Sequence, residues 1–453
     1  MATHSDESPR TAALQWLYGR INYERTTPVP YQQQAFKLDA VRELLRRLGD
    51  PQDGMRIVHV AGTKGKGTVG AMIAAALTRS GHKTGVYSSP HLERFEERIA
   101  IDGVPCSEQE LVRLIDTVRP IAEAMDLDGA LSPTFFDLST AMALLHFDEQ
   151  EVNAAVIEVG LGGRLDSTNV VEPTLCVITS VSLDHTQQLG ETTAEITAEK
   201  AGIVKDGVPV VCGVGDDEAR RVIERVCREH DAGLAMIDRD FACCQQPTGD
   251  WEYSQRDSDG FEELGPLRFK LPGEAHARNG ATALAALGAL ASLGLPTPTE
   301  ARRTAVTKTT LPARMERFDR DPLVVIDAAH NAASARALSG AIDRLCDPAP
   351  VEQRVLVVAI SQEKDAEAIL REIVPRFRRI IATRFLENPR ALPPETIAEL
   401  VSTIDSAAEV TTAPSPQDAY LAAVDAAGQG GAVVVAGSFF LAAEIRRLVV
   451  NAD

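Results

Sequence analysis

The sequence predicts an α/β protein of two successive domains, of which the first is the larger. Short runs rich in Val, Ile and Ala alternate with longer stretches of helical periodicity, a pattern typical of βα units that build a parallel sheet. A glycine-rich loop joins the first strand-like run to a helix-like stretch. The alternation starts afresh after Pro312, which indicates a domain boundary and predicts domains spanning 1–312 and 313–453.

Nine apolar runs are predicted to be strands because they are short and several are rich in β-branched residues. These runs cover residues 56–61, 83–88, 154–160, 175–181, 208–213, 323–327, 355–360, 380–383 and 432–436. The polar stretch 243–267 has little apolar periodicity, so we expect a long loop or a hairpin insertion there.

Four helices are predicted from local signals. Residues 36–48 place leucines and a valine on one face, and residues 279–293 are rich in alanine. Ser107 with Glu110, and Thr192 with Glu195, have the spacing of a capping box, in which each side chain hydrogen-bonds the other's backbone N–H. The first of these two helices is expected to reach about Met125.

The overall charge and the cysteine content limit the function classes. Lys and Arg number 46 against 65 Asp and Glu, a net charge of −19, which argues against whole-chain binding to nucleic acid. The seven cysteines show no C-x-x-C spacing, and no export signal or membrane-spanning run is evident. We therefore expect a cytoplasmic protein without a membrane partner, and the acidic composition is compatible with a monomer.

The segment GTKGKGT, residues 62–68, has the order of a phosphate-binding loop between a strand and a helix. Glycines let backbone N–H groups turn toward an anion, and the helix N-terminus adds partial positive charge. Lys66 can reach the terminal phosphates of a nucleotide, while the hydroxyl of Thr68 can face a magnesium ion. The loop differs from G-x-x-x-x-G-K-[ST] because Gly67 separates the lysine from the hydroxyl.

Three polar side chains follow predicted strands at the edge where an open α/β sheet binds its ligands. Glu158 lies near the end of one buried run, Ser89 follows a second, and His185 follows a third. A buried carboxylate costs free energy unless it is paired or binds a cation. The set therefore predicts a magnesium site beside the phosphate loop, with ATP phosphate oxygens as further ligands.

Nine segments in order make the chain resemble the folylpolyglutamate synthase and dihydrofolate synthase family of the Mur ligase superfamily. The resemblance runs from about residue 36 to residue 446. The segments are GTKGKGT, YSSPHLERFEERI, SPTFFDLSTAMALLHF, VIEVGLGGRLDSTNV, SLDHTQQLG, EKAGIVK, LPARMERF, IDAAHN and GSFFLAAEIR. The implied architecture is a P-loop parallel-sheet ATPase domain followed by a smaller Rossmann-like domain that binds glutamate.

The resemblance implies an ATP- and magnesium-dependent amide ligase that adds L-glutamate to dihydropteroate, to a reduced folate, or to both. An acyl phosphate would form first, and ADP and phosphate would leave. The implied residues fall into three groups. ATP contacts are Gly65, Lys66, Gly67, Thr68, Asn279, Arg314 and Asp327; ligands of two magnesium ions are Thr68, Ser89, Glu158, His185 and a carbamate on Lys200; catalytic residues are Lys66, His185, Lys200 and His330.

The same resemblance implies a pterin pocket formed by Thr134, Phe135, Phe136, Asp137 and Leu165, with the segment 36–39 at its border. Some positions depart from the family's usual residues. Lys64 stands where Asn is common and Asp137 where Glu is common, while Ala328 and Ala332 replace Gly and Pro in the segment around His330.

Two other functions stay open at this stage. A related Mur-type ligase could join an amino acid to another carboxylate, such as a cell-wall precursor. A nucleotide-binding protein without turnover would keep the phosphate loop but would not need the whole metal set of Ser89, Glu158, His185 and Lys200.

Overall fold

The computed structural model describes residues 8–22, 38–129, 131–257, 260–271 and 273–451. The chain divides into two compact units. Unit 1 consists of Met1–Phe269 and His276–Thr309, and unit 2 consists of Lys270–Ala275 and Thr310–Asp453. No helix in the described part of the chain is long and apolar enough to cross a membrane.

An eight-stranded sheet forms the centre of unit 1, in the order β4-β3-β2-β5-β1-β6-β7-β8. The six strands from β2 to β8 along this order are parallel, and β3 and β4 extend one edge in antiparallel pairing. The strands are β1 (Arg56–Ala61), β2 (Thr84–Tyr87), β3 (Ile99–Ile101), β4 (Val104–Pro105), β5 (Ala154–Glu158), β6 (Leu175–Ile178), β7 (Val210–Cys212) and β8 (Leu234–Met236). The five strands predicted for this region are confirmed, with ends shifted by up to three residues.

Helices cover both faces of this sheet, as parallel strands buried on two sides require. They are α1 (Pro9–Tyr18), α2 (Asp39–Arg47), α3 (Lys66–Arg79), α4 (Glu108–Asp128), α5 (Phe135–Glu149), α6 (Thr186–Leu189), α7 (Thr193–Ala201), α8 (Asp217–Glu229), α9 (Glu274–Ser292) and α10 (Thr299–Lys308). Both predicted capping boxes are present at the starts of α4 and α7. Helix α2 begins later than predicted, and positions 36 and 37 lie outside the described residues, so the predicted role of the 36–39 segment rests on sequence. Helix α9 begins five residues earlier than predicted.

The polar stretch 243–267 forms most of a separate three-stranded antiparallel sheet, so the hairpin alternative was the correct one. Its strands are β9 (Phe241–Gln245), β10 (Trp251–Asp257) and β11 (Gly260–Leu267). Tyr253, Leu264 and Leu267 join the apolar cluster that also contains α3 and α9 residues. The individual strands were not predicted because few positions of this stretch carry an apolar signal.

Unit 2 contains a six-stranded sheet in the order β12-β13-β17-β14-β15-β16, which is parallel except for β12. Its strands are β12 (Glu316–Phe318), β13 (Leu323–Ile326), β14 (Arg354–Val358), β15 (Arg379–Ala382), β16 (Glu409–Thr412) and β17 (Ala432–Ala436). Its helices are α11 (Ala332–Ser339), α12 (Ile342–Leu345), α13 (Ala366–Ile373), α14 (Pro394–Ile404), α15 (Pro416–Ala427) and α16 (Phe439–Val450). The four predicted strands are confirmed, whereas β12 and β16 carry too little apolar sequence to be predicted.

Candidate active site

The phosphate loop connects β1 to α3, and its backbone has the conformation that an anion cradle needs. Gly62 and Gly65 have positive φ angles of 153° and 82°. At Gly62 an added Cβ would lie 2.0 Å from Oγ1 of Thr179, so any other residue would clash with the segment that follows β6. Helix α3 begins at Lys66 and has no side-chain cap. Its first N–H groups are therefore directed toward the loop and can bind an anion.

The segment after β6 fixes this loop through hydrogen bonds. The backbone N–H of Thr63 donates to the carbonyl of Ser180 at 2.8 Å, and that of Lys64 donates to Oγ of Ser180 at 3.0 Å. The hydroxyl groups of Thr179 and Ser180 both donate to the carbonyl of Lys64, at 2.6 and 2.9 Å. The loop is thus held rigidly in shape before any ligand binds.

Lys66 lies between the phosphate loop and the carboxylate of Glu158. Its Nζ donates to the carbonyl of Gly62 at 3.2 Å and lies 3.9 Å from Oε1 of Glu158. Glu158 ends β5 and is only 8% exposed, and it is in register with Val60 of the adjacent strand β1. The sequence-based prediction that Glu158 and the phosphate loop share one sheet edge therefore agrees with the geometry.

Gly65 is in close contact with Asn279 of α9, a predicted nucleotide contact. A Cβ at Gly65 would lie 2.4 Å from Oδ1 of the Asn279 side chain. This approach brings the start of α9 against the phosphate loop, although the two segments are more than 200 residues apart in sequence.

We expect Gly65→Ala to weaken ADP binding by at least about tenfold, because the new methyl group displaces Asn279 and the left-handed φ becomes strained, at a cost of roughly 1–2 kcal/mol. Gly49→Ala is a matched control, since Gly49 has a φ of 88° but no atom within 4 Å of an added Cβ. Calorimetric titration should show weaker ADP binding in Gly65→Ala alone, whereas thermal unfolding should show in both variants the destabilisation that the strained φ causes. Equal ADP affinity in both would contradict a role for this contact.

Ser89 and His185 lie on the same sheet edge as Glu158, in the segments that follow β2 and β6. Strand β2 pairs with β5, and β1 lies between β5 and β6, so the ends of β2, β5 and β6 fall within four consecutive parallel strands. His185 has a left-handed φ of 50°, and its half-exposed ring places Nε2 4.0 Å from Oδ1 of Asp184. Among the described residues no three His, Cys, Asp or Glu side chains form a metal-binding group. The predicted magnesium site therefore needs oxygen ligands from Thr68, Ser89 and a modified Lys200 in addition to Glu158 and His185.

Lys200 lies in the last turn of α7 and is 4% exposed. Burial and, to a smaller extent, the nearby charge of Lys66 lower the pKa of its amine to about 7, although the charges of Asp184 and Asp166 act in the opposite direction. A lysine in the last turn of a short polar helix would ordinarily be classed as a surface residue. The structure instead makes it a buried amine that is partly neutral near pH 7.

We expect Lys200→Met to stabilise the ligand-free protein at pH 6 in carbon dioxide-free buffer. The pKa falls from 10.5 in the unfolded chain to about 7, so the unfolded state binds more protons between these values and stability rises with pH across that range. Replacement by methionine removes a penalty of up to about 5 kcal/mol that is full below pH 7 and absent above pH 10.5. Urea unfolding at several pH values measures this difference. Lys308→Met, at an exposed helix end, should show no such pH-dependent gain.

Two acidic residues near Lys200 were not predicted from the sequence. Asp184 lies 3.6 Å from Nζ of Lys64 and accepts the backbone N–H of His185 at 3.0 Å. Asp166 is 6% exposed and acts electrostatically on both Lys66 and Lys200. Asp184 directly precedes the predicted ligand His185, and this adjacency was the available signal. Asp166 gave no local signal, because its burial depends on the folding of the loop after β5.

The residues predicted for a pterin pocket have different environments. Thr134 caps α5 by accepting the backbone N–H of Asp137 at 3.2 Å, and the Asp137 carboxylate accepts hydrogen bonds from Thr134 and from Oγ of Ser167 at 2.6 Å. Burial raises the pKa of Asp137, and these hydrogen bonds oppose the rise. Asp137 therefore joins the start of α5 to the segment that follows β5.

Of the two adjacent aromatic residues, only Phe136 is partly exposed. Phe135 is 1% exposed and stacks on Tyr18 with ring centroids 5.6 Å apart, so its ring belongs to the core. The ring of Phe136 contacts Gly160, where an added Cβ would lie 2.5 Å from Cζ. Leu165, also partly buried, packs against a small cluster formed by Leu189 and Ile196. Phe136 is the better placed of the two aromatic residues for contact with a flat heterocycle.

The predicted residues of unit 2 lie at the carboxyl end of β13. Asp327 is 7% exposed and accepts the backbone N–H groups of Met315 and Ala329 at 2.7 and 2.8 Å. Burial raises the pKa of Asp327, while the positive charge of Arg314 lowers it. Nδ1 of His330 lies 2.9 Å from the carbonyl of Ala328, which leaves Nε2 as the ring nitrogen directed away from this turn. Arg314 and Asp327 thus interact electrostatically within unit 2, and His330 follows Asp327 by three residues.

Two protein-family models match the chain. The Mur ligase middle domain matches residues 60–287, and the glutamate ligase domain of Mur ligases matches residues 313–439. The folylpolyglutamate synthase of Lacticaseibacillus casei is 33% identical, with 90% of this chain and 93% of that protein covered. The dihydrofolate synthase/folylpolyglutamate synthase of Escherichia coli is also 33% identical, with 91% of each chain covered.

Solved structures give the same result. Escherichia coli FolC in complex with DHPP and ADP matches with a TM-score of 0.82 and 30% identity, covering 99% of this chain and 100% of that chain. The folylpolyglutamate synthase of Mycobacterium tuberculosis complexed with ADP matches with a TM-score of 0.84 and 31% identity. The match covers 97% of this chain and 98% of that chain. The chain therefore belongs to the folylpolyglutamate synthase and dihydrofolate synthase family of Mur ligases, and it is an ATP-dependent ligase.

Proposed function

We propose that this enzyme adds L-glutamate to dihydropteroate, to a reduced folate, or to both, by way of an acyl phosphate. One observation carries the proposal. Lys66 of the phosphate loop lies 3.9 Å from the buried carboxylate of Glu158, and the same lysine acts electrostatically on the buried amine of Lys200. Lys66 therefore interacts with both of the other groups that the reaction needs. They are the carboxylate of Glu158, which would bind metal, and the amine of Lys200, which would be carboxylated.

The nucleotide phosphates are assigned to the phosphate loop of unit 1, with Asn279 of α9 beside it. Gly65, Lys66, Gly67 and Thr68 would hold the phosphates through the start of α3 and the lysine side chain. Asn279 supports this assignment because it contacts Gly65. Arg314 and Asp327 are assigned to the nucleotide on the family resemblance, and their proximity to each other in unit 2 is compatible with a joint contact.

Magnesium fits the donor set at this sheet edge. Thr68, Ser89 and Glu158 offer oxygen atoms, which Mg²⁺ prefers, and His185 adds a nitrogen. Glu158 is 8% exposed, and such a buried carboxylate is stabilised by a nearby cation. When bound, the metal ions would neutralise phosphate charge as the substrate carboxylate approaches.

A carbamate on Lys200 fits the burial of that residue. The amine must be neutral to attack carbon dioxide, and burial lowers its pKa to about 7, so a large fraction is neutral near physiological pH. The neutral amine bonds to the carbon of carbon dioxide and loses one proton, which gives an anionic carbamate. Such an anion would supply an oxygen ligand for a magnesium ion. It would lie close to Lys66 and Asp184, whose charges act on Lys200.

The protein's own groups then account for the reaction chiefly by positioning and charge. Lys66 stabilises the negative charge that develops on the transferred γ-phosphoryl group as an oxygen of the pteroate or folate carboxylate bonds to phosphorus and ADP departs. Phe136 offers a partly exposed ring for the heterocycle. The neutral amine of glutamate attacks the acyl carbon, phosphate leaves, and the amine loses a proton. His330, through its Nε2, is assigned to that second half of the reaction.

A mass-resolved product assay tests the proposal. The enzyme would be incubated with ATP, magnesium, bicarbonate, L-glutamate and, in separate reactions, dihydropteroate, tetrahydrofolate or a nucleotide-linked muramoyl peptide. We expect a mass increase of one or more glutamyl residues with a pteroate or folate acceptor and stoichiometric release of ADP. Glutamate addition to the muramoyl peptide alone would favour the other Mur-type ligase function, and ADP binding without any product would favour a silent nucleotide-binding protein.

A monomer in a reducing compartment is part of the same proposal. All seven cysteines are unpaired thiols, and five of them are buried. Light scattering coupled to size-exclusion chromatography would test the monomer, with a single species near 48.7 kDa as the expected result.

A further inference from the structure

A histidine is fully buried in the middle of β1, directly before the phosphate loop. His59 is 0% exposed and is in register with Ile157 of β5 and Cys176 of β6. Burial, together with the charge of Lys205, lowers the pKa of His59 to about 3, so the ring is neutral. A buried polar side chain at the centre of an apolar sheet costs free energy unless its hydrogen bonds are satisfied. Its partners therefore indicate why a polar residue stands here.

The ring connects to a buried carboxylate through one hydroxyl group. Nε2 of His59 lies 2.9 Å from Oγ1 of Thr168, and that hydroxyl donates to Oδ1 of Asp166 at 2.5 Å. Because the hydroxyl proton is used toward Asp166, Nε2 of His59 must be the donor in the first hydrogen bond. Nδ1 is then a bare acceptor, which agrees with its lack of a partner among the described residues. With Asp166 as the acceptor, the chain of hydrogen bonds therefore runs from His59 through Thr168 to Asp166.

Asp166 uses the rest of its carboxylate to hold the segment between β5 and Thr168. Oδ2 accepts the backbone N–H of Leu161 at 2.9 Å, and Oδ1 also accepts the backbone N–H of Thr168 at 3.0 Å. Burial raises the pKa of Asp166, whereas its hydrogen bonds and the charge of Lys66 oppose the rise, and the charge of Asp166 in turn acts on Lys200. The Asp166 carboxylate therefore interacts electrostatically with Lys66 and with Lys200, the two lysines of the proposed reaction.

We infer that His59 is a positioning residue that acts through Thr168 to orient Asp166, and with it the segment 160–166, beside Lys66 and Lys200. The inference rests on the proposed function for its kinetic consequence. A donor to the Thr168 hydroxyl polarises it and strengthens its bond to the carboxylate. Loss of that donor frees the hydroxyl to rotate, and the negative charge near the two lysines loses its defined position.

Three single variants and one double variant test the chain of hydrogen bonds. In His59→Leu and in Thr168→Val we expect kcat to fall roughly tenfold, the effect of losing one or two buried hydrogen bonds, with KM for ATP and glutamate near the wild-type values. Thr168→Ser keeps the hydroxyl and should retain most of the wild-type kcat. The double variant should lose no more than either single variant, because the two residues act in series.

His146→Leu is the matched control for a buried histidine. His146 is 3% exposed in α5, and its Nδ1 also lacks a partner among the described residues, but no hydrogen bond connects it to Asp166. This variant should lower the melting temperature and leave kcat unchanged. If His59→Leu behaved in the same way, with stability reduced and kcat intact, the positioning role would be overturned.

The tautomer of His59 gives a readout that does not depend on turnover. Nitrogen-15 NMR of histidine-labelled protein, assigned with His59→Leu, should show a neutral ring protonated on Nε2 from pH 5 to pH 9, and Thr168→Val should alter that signal. Protonation on Nδ1 would overturn the inference. If the tautomer is as expected but no glutamyl product forms with any acceptor, the proposed function has failed and the hydrogen-bond chain has not.

Discussion

Lys66→Ala is expected to reduce glutamate addition by roughly 10²–10³-fold or more while the protein stays folded, because a charge positioned on the transferred phosphoryl group acts mainly in the transition state. The structure supports this size of effect. The lysine is the first residue of α3, and its Nζ is held by the Gly62 carbonyl and lies within 4 Å of Glu158. A steady-state assay of ADP release and product mass, together with circular dichroism, measures both the loss and the fold.

Lys64→Ala is the matched control for this prediction. Lys64 belongs to the same loop and carries the same charge, but its Nζ pairs with Asp184 at 3.6 Å. We expect the Lys64 variant to keep most of its activity and to lose only part of its ATP affinity. If the two variants lost activity equally, the effect would come from the total charge of the loop, and the specific role of Lys66 would be wrong.

Lys200→Ala is expected to lose activity to a similar degree, roughly 10²-fold or more, and to regain part of it with formate, acetate or propionate. The truncated side chain leaves space in a buried site, and a short carboxylate can occupy it as a substitute for the anionic carbamate. Since we propose that the Lys200 amine, whose pKa is lowered to about 7, carries a carbamate, we expect the wild-type activity to depend on bicarbonate at constant pH. Initial rates at several concentrations of each acid, with and without bicarbonate, test both statements.

Two controls separate chemical rescue from general salt effects. Lys200→Arg cannot form the same carbamate and fills the space, so added acids should not restore it. Wild-type enzyme should not respond to acetate. Full activity of Lys200→Ala in the absence of any acid would remove the carbamate from the proposal, and carbon-13 NMR of protein equilibrated with labelled bicarbonate gives an independent test of the modification.

The phosphate loop shows what can be predicted from sequence. Its function depends on consecutive residues, a strand, two glycines with positive φ, a lysine and a new helix, and all of these are local properties. The strands ending at Glu158 and before His185 were likewise predicted, because period and composition report burial of a continuous run. From strand ends alone, parallel pairing brings Glu158 to the edge that carries Lys66, as the structure confirms.

Other features follow from contacts between residues that are distant in sequence. The sequence suggests two equivalent phenylalanines, but α5 directs Phe135 into the core and Phe136 toward Gly160. Likewise, the sequence marks Lys200 only through resemblance, since its burial depends on the surrounding segments. The predicted metal ligands are likewise distant in sequence. Among the described residues, His, Cys, Asp and Glu side chains alone form no group of three that could hold a metal ion.

The sequence by itself determined the α/β class, the phosphate loop and the family, because the period of the strands, the positions of the glycines and the ordered motifs depend on residues that are close together in the sequence. Only the tertiary structure decided that Lys200 is a buried amine and that His59, Thr168 and Asp166 form one hydrogen-bonded chain. The physical reason is that desolvation and hydrogen-bond direction depend on what surrounds a group in space, and those neighbours come from segments that folding brings together over more than 100 residues.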